Sequence, residues 1–219
     1  HLVRPSDETE PKKIAWLQCV GSRDINKGDH AYCSGVCCMY ATKQAVIAKE
    51  HAGEKLDCAI FFMDMRTHGK EFDKYQMRAE DDAGVRYVRS RIHSVFPEPG
   101  DRYRLVYATE AGNLAEEIFD MVVLSIGLAP NREAAALAGK MGIELNAHGF
   151  AATTDLSPVA ASRPGIYVCG TFQEPKDIPS SVMEASAAAA TAAMTMAEDR
   201  WTLTRTRELP PETDVAGAA

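Results

Sequence analysis

Four of the six cysteines in the chain lie in a single stretch, Leu17–Lys43, and this cluster limits most strongly what the chain can fold into. The last three form a C-x₃-C-C pattern, and the first precedes them by one polar segment. Thiolates bind iron–sulfur clusters, usually four at a time, and the spacing must allow all four sulfurs to converge. The clustered residues are Cys19, Cys33, Cys37 and Cys38.

The spacing leaves three interpretations of these cysteines open. Cys33 and Cys37 are four residues apart, which predicts one shared helix face, and Cys19 would close the site from a strand end. An iron–sulfur cluster is favoured, tetrahedral zinc is the first alternative, and buried structural cysteine is the simplest. Adjacent cysteines beside a glycine-containing polar loop are poor core residues, whereas Cys58 and Cys169, in apolar runs, are predicted to be ordinary core thiols.

The composition excludes several classes of protein. A net charge of −7 and a pI of about 5.4, without any Lys/Arg-rich block, argue against nucleic acid as a partner. No apolar run approaches the roughly 20 residues of a membrane-spanning helix, and the polar start has no signal-peptide core. Six cysteines in 219 residues are too few for a disulfide scaffold, so we expect a reduced, cytoplasmic protein.

The order of the periodic segments predicts a Rossmann-like, three-layer α/β domain of the nucleotide-binding type. Strands and helices alternate as β-α-β-α-β, and a hairpin and one fully buried strand, Ile118–Ile126, follow. The other predicted elements are strand Ile14–Val20, helix Cys33–His51, strand Leu56–Met63, helix Glu71–Ala83, strand Val85–Val88 and hairpin strand Arg102–Thr109.

The junction after the first strand lacks the fingerprint of a dinucleotide site. Such a site requires G-x-G-x-x-G between strand and helix, but here the turn carries Gly21 and Ser22, and Gly35 precedes the next helix. The intervening loop is long and rich in cysteine, so NAD(P) binding is not expected. We hypothesise that an iron–sulfur cluster takes the place of the dinucleotide, with Gly21 and Ser22 as candidate cofactor contacts.

Two later junctions are further candidates for cofactor contact. Gly127 follows the predicted buried strand, and a short predicted strand, Ile166–Cys169, ends at Gly170 and Thr171 before an alanine-rich helix. A strand that ends in glycine before a helix N-terminus offers N–H groups and a positive dipole end, which suit a phosphate or a flavin edge. Lys43 is either a solvated helix lysine or a cation beside a redox centre, and both interpretations stay open.

Four sequence blocks resemble the HdrA family of heterodisulfide reductases, whose members are flavin and iron–sulfur proteins with a thioredoxin-reductase-like core. They are QCVGSRD, YCSGVCCMYATKQA, LSIGLAPN and GIYVCGTFQEPKDIPSSVMEASAAAA, and the resemblance extends over about Ile14–Ala197. It implies a 4Fe–4S cluster on the four clustered cysteines, FAD against Gly170–Val182 and the following helix, and Lys43 beside the flavin. The implied flavin contacts are Gly127, Gly170, Thr171, Lys176, Asp177, Ile178, Ser181 and Val182.

The resemblance also implies an activity and partners. Flavin chemistry would be coupled to one-electron relay toward other heterodisulfide-reductase-like subunits or ferredoxin-type carriers. The expected organisation is a polar lead-in (1–13), an NAD(P)-binding-like domain with the cysteine loop (14–127), the C-terminal half of an FAD-binding domain (128–200) and a disordered tail (201–219). Without the first half of the FAD pocket, apolar surface on the last helix could drive dimerisation.

Two other functions remain open from the sequence. A fragment of a pyridine nucleotide–disulfide reductase would use a cysteine pair as a redox dithiol and would contain no iron. A non-enzymatic interface domain would hold one zinc ion and show no visible absorbance.

Overall fold

The computed structural model describes residues 1–25, 30–53 and 55–198, and its chain divides into two units. The first contains His1–Ala129 and Pro175–Asp177, and the second contains Pro130–Glu174 and the chain from Ile178. The elements, in chain order, are β1 (Lys13–Val20), α1 (Cys37–Ala52), β2 (Asp57–Phe62), α2 (Phe72–Asp81), β3 (Arg86–Arg89), β4 (Val95–Glu98), β5 (Arg102–Ala108), β6 (Leu114–Phe119), β7 (Met121–Ile126), α3 (Ala134–Met141), a 3₁₀ turn (Gly170–Phe172) and α4 (Ile178–Glu198). The predicted tail, 201–219, lies outside the described residues.

A four-stranded parallel sheet, in the order β3-β2-β1-β7, forms the centre of the first unit. Successive residues of β1 point to opposite faces, so Ile14 and Trp16 pack against α1 while Ala15 and Leu17 face the antiparallel sheet β4-β5-β6. All four are buried, since layers cover the sheet on both faces. The predicted three-layer α/β fold is therefore confirmed.

The predicted single strand Ile118–Ile126 is wrong, because the chain changes sheets at Asp120. The carboxylate of Asp120 accepts hydrogen bonds from the backbone N–H groups of Lys12 at 2.8 Å and Lys13 at 3.0 Å, which fixes a turn between β6 and β7. β6 ends in the antiparallel sheet, whereas β7 pairs with β1 as an edge strand. Two of its apolar side chains are consequently exposed, Leu124 by 53% and Ile126 by 61%.

The helix predicted from Cys33 begins only at Cys37. Gly35 has a φ of +70°, in the left-handed region that a continuing right-handed helix cannot use, and Val36 is the N-cap residue. Cys33 therefore precedes the helix instead of sharing a helix face with Cys37. Chain spacing alone could not show this interruption.

The second unit has a small core around α3, and α4 is its longest helix. Ala138, Ile143, Ala151 and Val168 are buried together. The strand predicted at Ile166–Cys169 is wrong, since this segment forms only an isolated bridge instead of a ladder. In the part of the chain that is described, no helix is long and apolar enough to cross a membrane.

An ion-pair network joins the first residues of the parallel strands to β6. The carboxylate of Glu117 pairs with Lys13 Nζ at 2.6 Å and Arg86 Nη2 at 2.9 Å, and it accepts a hydrogen bond from Tyr107. Arg86 also pairs with Asp57 at 2.8 Å. Burial raises the pKa of Glu117, but the bonds from Arg86, Lys13 and Tyr107 outweigh it and lower that pKa to about 2.

We predict that Glu117→Gln destabilises the fold in a pH-dependent way. The pKa of Glu117 lies below its ordinary value of 4.5, so its contribution is present at neutral pH and is lost as pH falls toward about 2. The free energy of unfolding, measured by urea denaturation at several pH values, should fall by about 2 kcal/mol at pH 7. The difference from the parent chain should shrink steadily in acid.

Glu116→Gln is the matched control on the same strand. Glu116 pairs with Arg104 at 3.4 Å with a side chain that is 58% exposed, so its loss should change stability by less than about 0.5 kcal/mol. An equal effect of both substitutions, or an effect of Glu117→Gln that does not vary with pH, would contradict the assigned network.

Candidate functional site

The cysteines of the predicted site lie at the carboxyl edge of the parallel sheet. Cys19 is the penultimate residue of β1, and Cys37 and Cys38 are the first residues of α1. The thiol of Cys37 lies 3.6 Å from the carbonyl oxygen of Ile126, at the end of β7, and that of Cys38 lies 4.0 Å from the carbonyl oxygen of Asp64, after β2. Ligands of parallel α/β sheets bind at this edge.

Hydrogen bonds on both sides of Cys33 attach its loop to the chain after β7. The hydroxyl of Tyr32 donates to the carbonyl of Leu128 at 2.9 Å, and the hydroxyl of Ser34 accepts from the N–H of Leu128 at 2.8 Å. Ser34 is buried, so the second bond satisfies a polar group with little access to water. These two contacts place Cys33 beside the strand end that Cys37 also reaches.

The chain turns sharply at Cys19. Its φ of +60° is in the left-handed region that non-glycine residues rarely adopt, and Gly21 follows with a φ of +68°. The N–H of Ser22 donates to the carbonyl of Cys19 at 3.2 Å, and the register of β1 against β7 shifts between Leu17 and Val20. Such irregularities redirect a side chain at a strand end and are frequent beside functional sites.

The thiols are close enough to affect one another electrostatically. Burial raises the pKa values of the thiols of Cys19, Cys37 and Cys38, to about 11 for Cys38, and each is raised further by negative charge on the neighbouring cysteines. A cation bound among them would favour the thiolates, which are the ligating form. The N-terminus of α1 also faces this edge, with no acidic residue in its first turn.

All four clustered cysteines are free thiols, which is the donor type that iron–sulfur clusters use. Within residues 1–25, 30–53 and 55–198, no group of three or more His, Cys, Asp or Glu side chains is arranged to hold a metal ion. A single zinc ion needs sulfurs about 2.3 Å from one centre, whereas a cluster presents a different iron to each thiolate. The four cysteines thus match an iron–sulfur cluster in the type of donor atom and in their location at the sheet edge.

Gly127 packs closely against the side chains of Ser22 and Ser34, next to the cysteine loop. A Cβ on Gly127 would lie 2.3 Å from the hydroxyl oxygen of Ser34 and 2.8 Å from that of Ser22, which is buried. A side chain at this position would therefore displace the Ser34 and Ser22 hydroxyls. Gly21, by contrast, is exposed, with open space around its Cα.

Several charged groups that sequence reasoning did not select also lie here. Arg23 Nη1 is 4.0 Å from Cys19 Sγ, and the same guanidinium pairs with Asp64, whose pKa it lowers. The only local signal was a charged residue directly after the cysteine-bearing strand. Lys43 is exposed on α1, and the described residues supply no ion-pair partner for it.

The residues implied for flavin contact are distributed over both units. In the second, Gly170 begins the 3₁₀ turn with a φ of +65°, its N–H donates to Glu184 Oε2 at 2.9 Å, and a Cβ there would lie 3.7 Å from Ser181 Oγ. Thr171, Ile178 and Val182 are exposed. Lys176 and Asp177 belong to the first unit, where Lys176 is buried.

Comparison with known proteins identifies the relatives of this chain. The profile of the pyridine nucleotide-disulphide oxidoreductase family matches residues 47–192. An iron–sulfur subunit of the HdrA type from the CoB–CoM heterodisulfide reductase of Methanopyrus kandleri is 41% identical over 90% of this chain. The corresponding subunit of the H₂/formate:CoB–CoM heterodisulfide, ferredoxin reductase of Methanococcus maripaludis is 38% identical over 92%. This chain spans only 30% and 31% of their lengths.

Among solved structures, the crystal structure of LpdA from Mycobacterium tuberculosis aligns with 91% of this chain and 37% of that chain. The TM-score is 0.49 and the sequence identity is 14%.

We predict that Gly127→Ala destabilises the first unit through its contact with Ser34. The new methyl group would overlap the Ser34 hydroxyl, which should lower the free energy of unfolding by about 2 kcal/mol in urea denaturation followed by circular dichroism. The cost should be about half as large in a Ser34→Ala background, because the nearest oxygen is then absent. Gly139→Ala is the control, since its Cβ meets open space in α3. A full-size cost in the Ser34→Ala background would contradict this contact.

Proposed function

The chain belongs to the pyridine nucleotide-disulphide oxidoreductase family, and we propose that it is the cluster-carrying, flavin-contacting part of an HdrA-like heterodisulfide reductase. The observation that supports this proposal is that cysteines from three separate segments lie at the carboxyl edge of one sheet. Cys19 comes from β1, Cys33 from a loop attached to Leu128, and Cys37 and Cys38 from the start of α1.

In this proposal the four clustered cysteines would hold a 4Fe–4S cluster, which supplies one-electron transfer when bound. The protein contributes the position of each sulfur. Tyr32 and Ser34 hold the loop of Cys33, and the left-handed turn at Cys19 directs its side chain off the end of β1. Partial burial of the thiols limits the access of water and oxidants.

FAD would lie against the 3₁₀ turn and the first turn of α4. Backbone N–H groups and the positive end of α4 suit the negatively charged parts of FAD, and Lys43 would supply a positive charge near the reduced flavin. The match to the pyridine nucleotide-disulphide oxidoreductase family supports this assignment, because it covers the 3₁₀ turn and most of α4. The proposed contacts are Gly21, Ser22, Gly127, Gly170, Thr171, Lys176, Asp177, Ile178, Ser181 and Val182.

The proposed partners are other heterodisulfide-reductase-like subunits and ferredoxin-type carriers in the cytoplasm. The name of the Methanococcus maripaludis relative includes both a heterodisulfide and ferredoxin, and it is a subunit of a larger enzyme. Because this chain spans about a third of that relative, we propose that its electron transfer occurs within a larger assembly. A second copy of the chain could also pack on α4, whose residues Val182, Met183 and Met194 are exposed.

We predict that the chain, purified without oxygen, contains about four iron and four acid-labile sulfide per chain, as one 4Fe–4S cluster requires. Elemental analysis gives the iron and zinc contents, and broad visible absorbance should bleach with dithionite. Cys37→Ser should remove most of the iron, because serine replaces one ligating thiolate. Cys58→Ala should retain it, because Cys58 is a core thiol of β2.

Other metal contents would identify the alternative functions. One zinc per chain without iron would overturn the electron-transfer proposal in favour of an interface domain. Iron-free protein with NADPH-dependent thiol turnover would instead indicate a redox dithiol. Equal iron loss in Cys37→Ser and Cys58→Ala would contradict the assigned ligands.

A further inference from the structure

One cation lies directly against the cysteine site. The Nη1 atom of Arg23 is 4.0 Å from the sulfur of Cys19, and the side chain of Arg23 is only 23% exposed. A guanidinium stays protonated at all physiological pH values, so this charge is permanent. Arg23 itself has a φ of +60°, so three of the five residues from Cys19 to Arg23 are left-handed, and this turn brings the Arg23 side chain back to Cys19.

A carboxylate from another strand holds that guanidinium. Asp64, just after β2, pairs with Arg23 Nη1 through Oδ1 and with Nη2 at 3.3 Å through Oδ2, which is a two-point contact of fixed geometry. Arg66 Nη2 also lies 3.4 Å from Asp64 Oδ2. The same segment reaches a second cysteine, because the carbonyl oxygen of Asp64 lies 4.0 Å from Cys38 Sγ.

The segment after β2 therefore acts on the site at two points. It orients a positive charge at Cys19 through the carboxylate of Asp64, and the backbone carbonyl of Asp64 lies beside Cys38. Hydrogen bonds and positive charge at the sulfurs of an iron–sulfur cluster stabilise its reduced form, since reduction adds one negative charge to the cluster and its thiolates.

We propose that Arg23, held by Asp64, is a positioning residue that raises the reduction potential of the cysteine-bound cluster. This inference rests on the proposed function. Arg23 would change only the potential at which the cluster accepts one electron. The electron comes from an external donor, and the guanidinium keeps its protons throughout.

The test is a mediated redox titration of the anaerobically purified full chain, followed by visible absorbance and electron paramagnetic resonance. Arg23→Gln removes the charge and the N–H fork, so we expect the ratio of reduced to oxidised cluster at a fixed potential to fall about tenfold, which is about 59 mV for one electron. Arg23→Lys keeps the charge and should lower that ratio by no more than about threefold.

Arg91→Gln is the matched control for a lost positive charge. Arg91 pairs with Asp24, the neighbour of Arg23, at 3.0 Å, and no contact with a cysteine sulfur is found for it among the described residues. Its loss should change the ratio by less than about twofold, because solvent screens the more distant charge. A potential unchanged in Arg23→Gln at full iron content, or a shift equal to that of Arg91→Gln, would overturn the inference.

Asp64 is tested by a double-substitution cycle. If Asp64 orients the guanidinium, Arg23→Gln should shift the potential less than half as far in an Asp64→Asn background as in the parent chain. A full-size shift in that background would overturn the role given to Asp64. Parent protein that holds no iron or sulfide would overturn the proposed function itself, whereas a cluster of normal potential in Arg23→Gln would overturn only this inference.

Discussion

Two hydrogen bonds at Leu128 determine where the cysteine loop lies: its carbonyl accepts from the hydroxyl of Tyr32, and its N–H donates to the hydroxyl of Ser34. Leu128 lies two residues after the end of β7, and β7 is held by its parallel pairing with β1. The sheet therefore positions the cysteine loop through the backbone N–H and C=O of this single residue. Ser34 is buried, and the absence of a side chain at Gly127 gives its hydroxyl the room to reach that N–H. Loss of the Ser34 hydroxyl would leave the N–H of Leu128 without its partner, and a side chain at Gly127 would displace the loop.

β1 connects the core to the site. Its first residues alternate between the two hydrophobic layers, and this alternation fixes the direction of every side chain until the register shifts after Leu17. The shift and the left-handed conformation of Cys19 release the last residues from that alternation. A thiol that regular strand geometry would place on one face of the sheet can thereby turn toward the carboxyl edge, beside the thiols that begin α1.

The general fold was predictable because it depends on local pattern, and the misassigned details depend on long-range contacts. Apolar runs separated by amphipathic segments indicated the α/β order, but the run Ile118–Ile126 contains no periodicity that reveals a change of sheet. That change is fixed by bonds from Asp120 to the start of β1, more than a hundred residues away. Likewise, cysteine spacing indicated a site, whereas the ion pair of Arg23 with Asp64 joins two strand ends that are distant in sequence, and the local sequence shows only a charged residue after β1.

One electrostatic property explains why the same sheet edge suits either a dinucleotide or the proposed cluster. α1 begins there without a side-chain cap, so its first N–H groups and positive dipole end face any ligand at the edge. A pyrophosphate and a thiolate-ligated cluster are both anions, and both are stabilised by that field. A cluster differs in needing covalent ligands, and Cys37 and Cys38, the ligands proposed for it, occupy the first two helix positions.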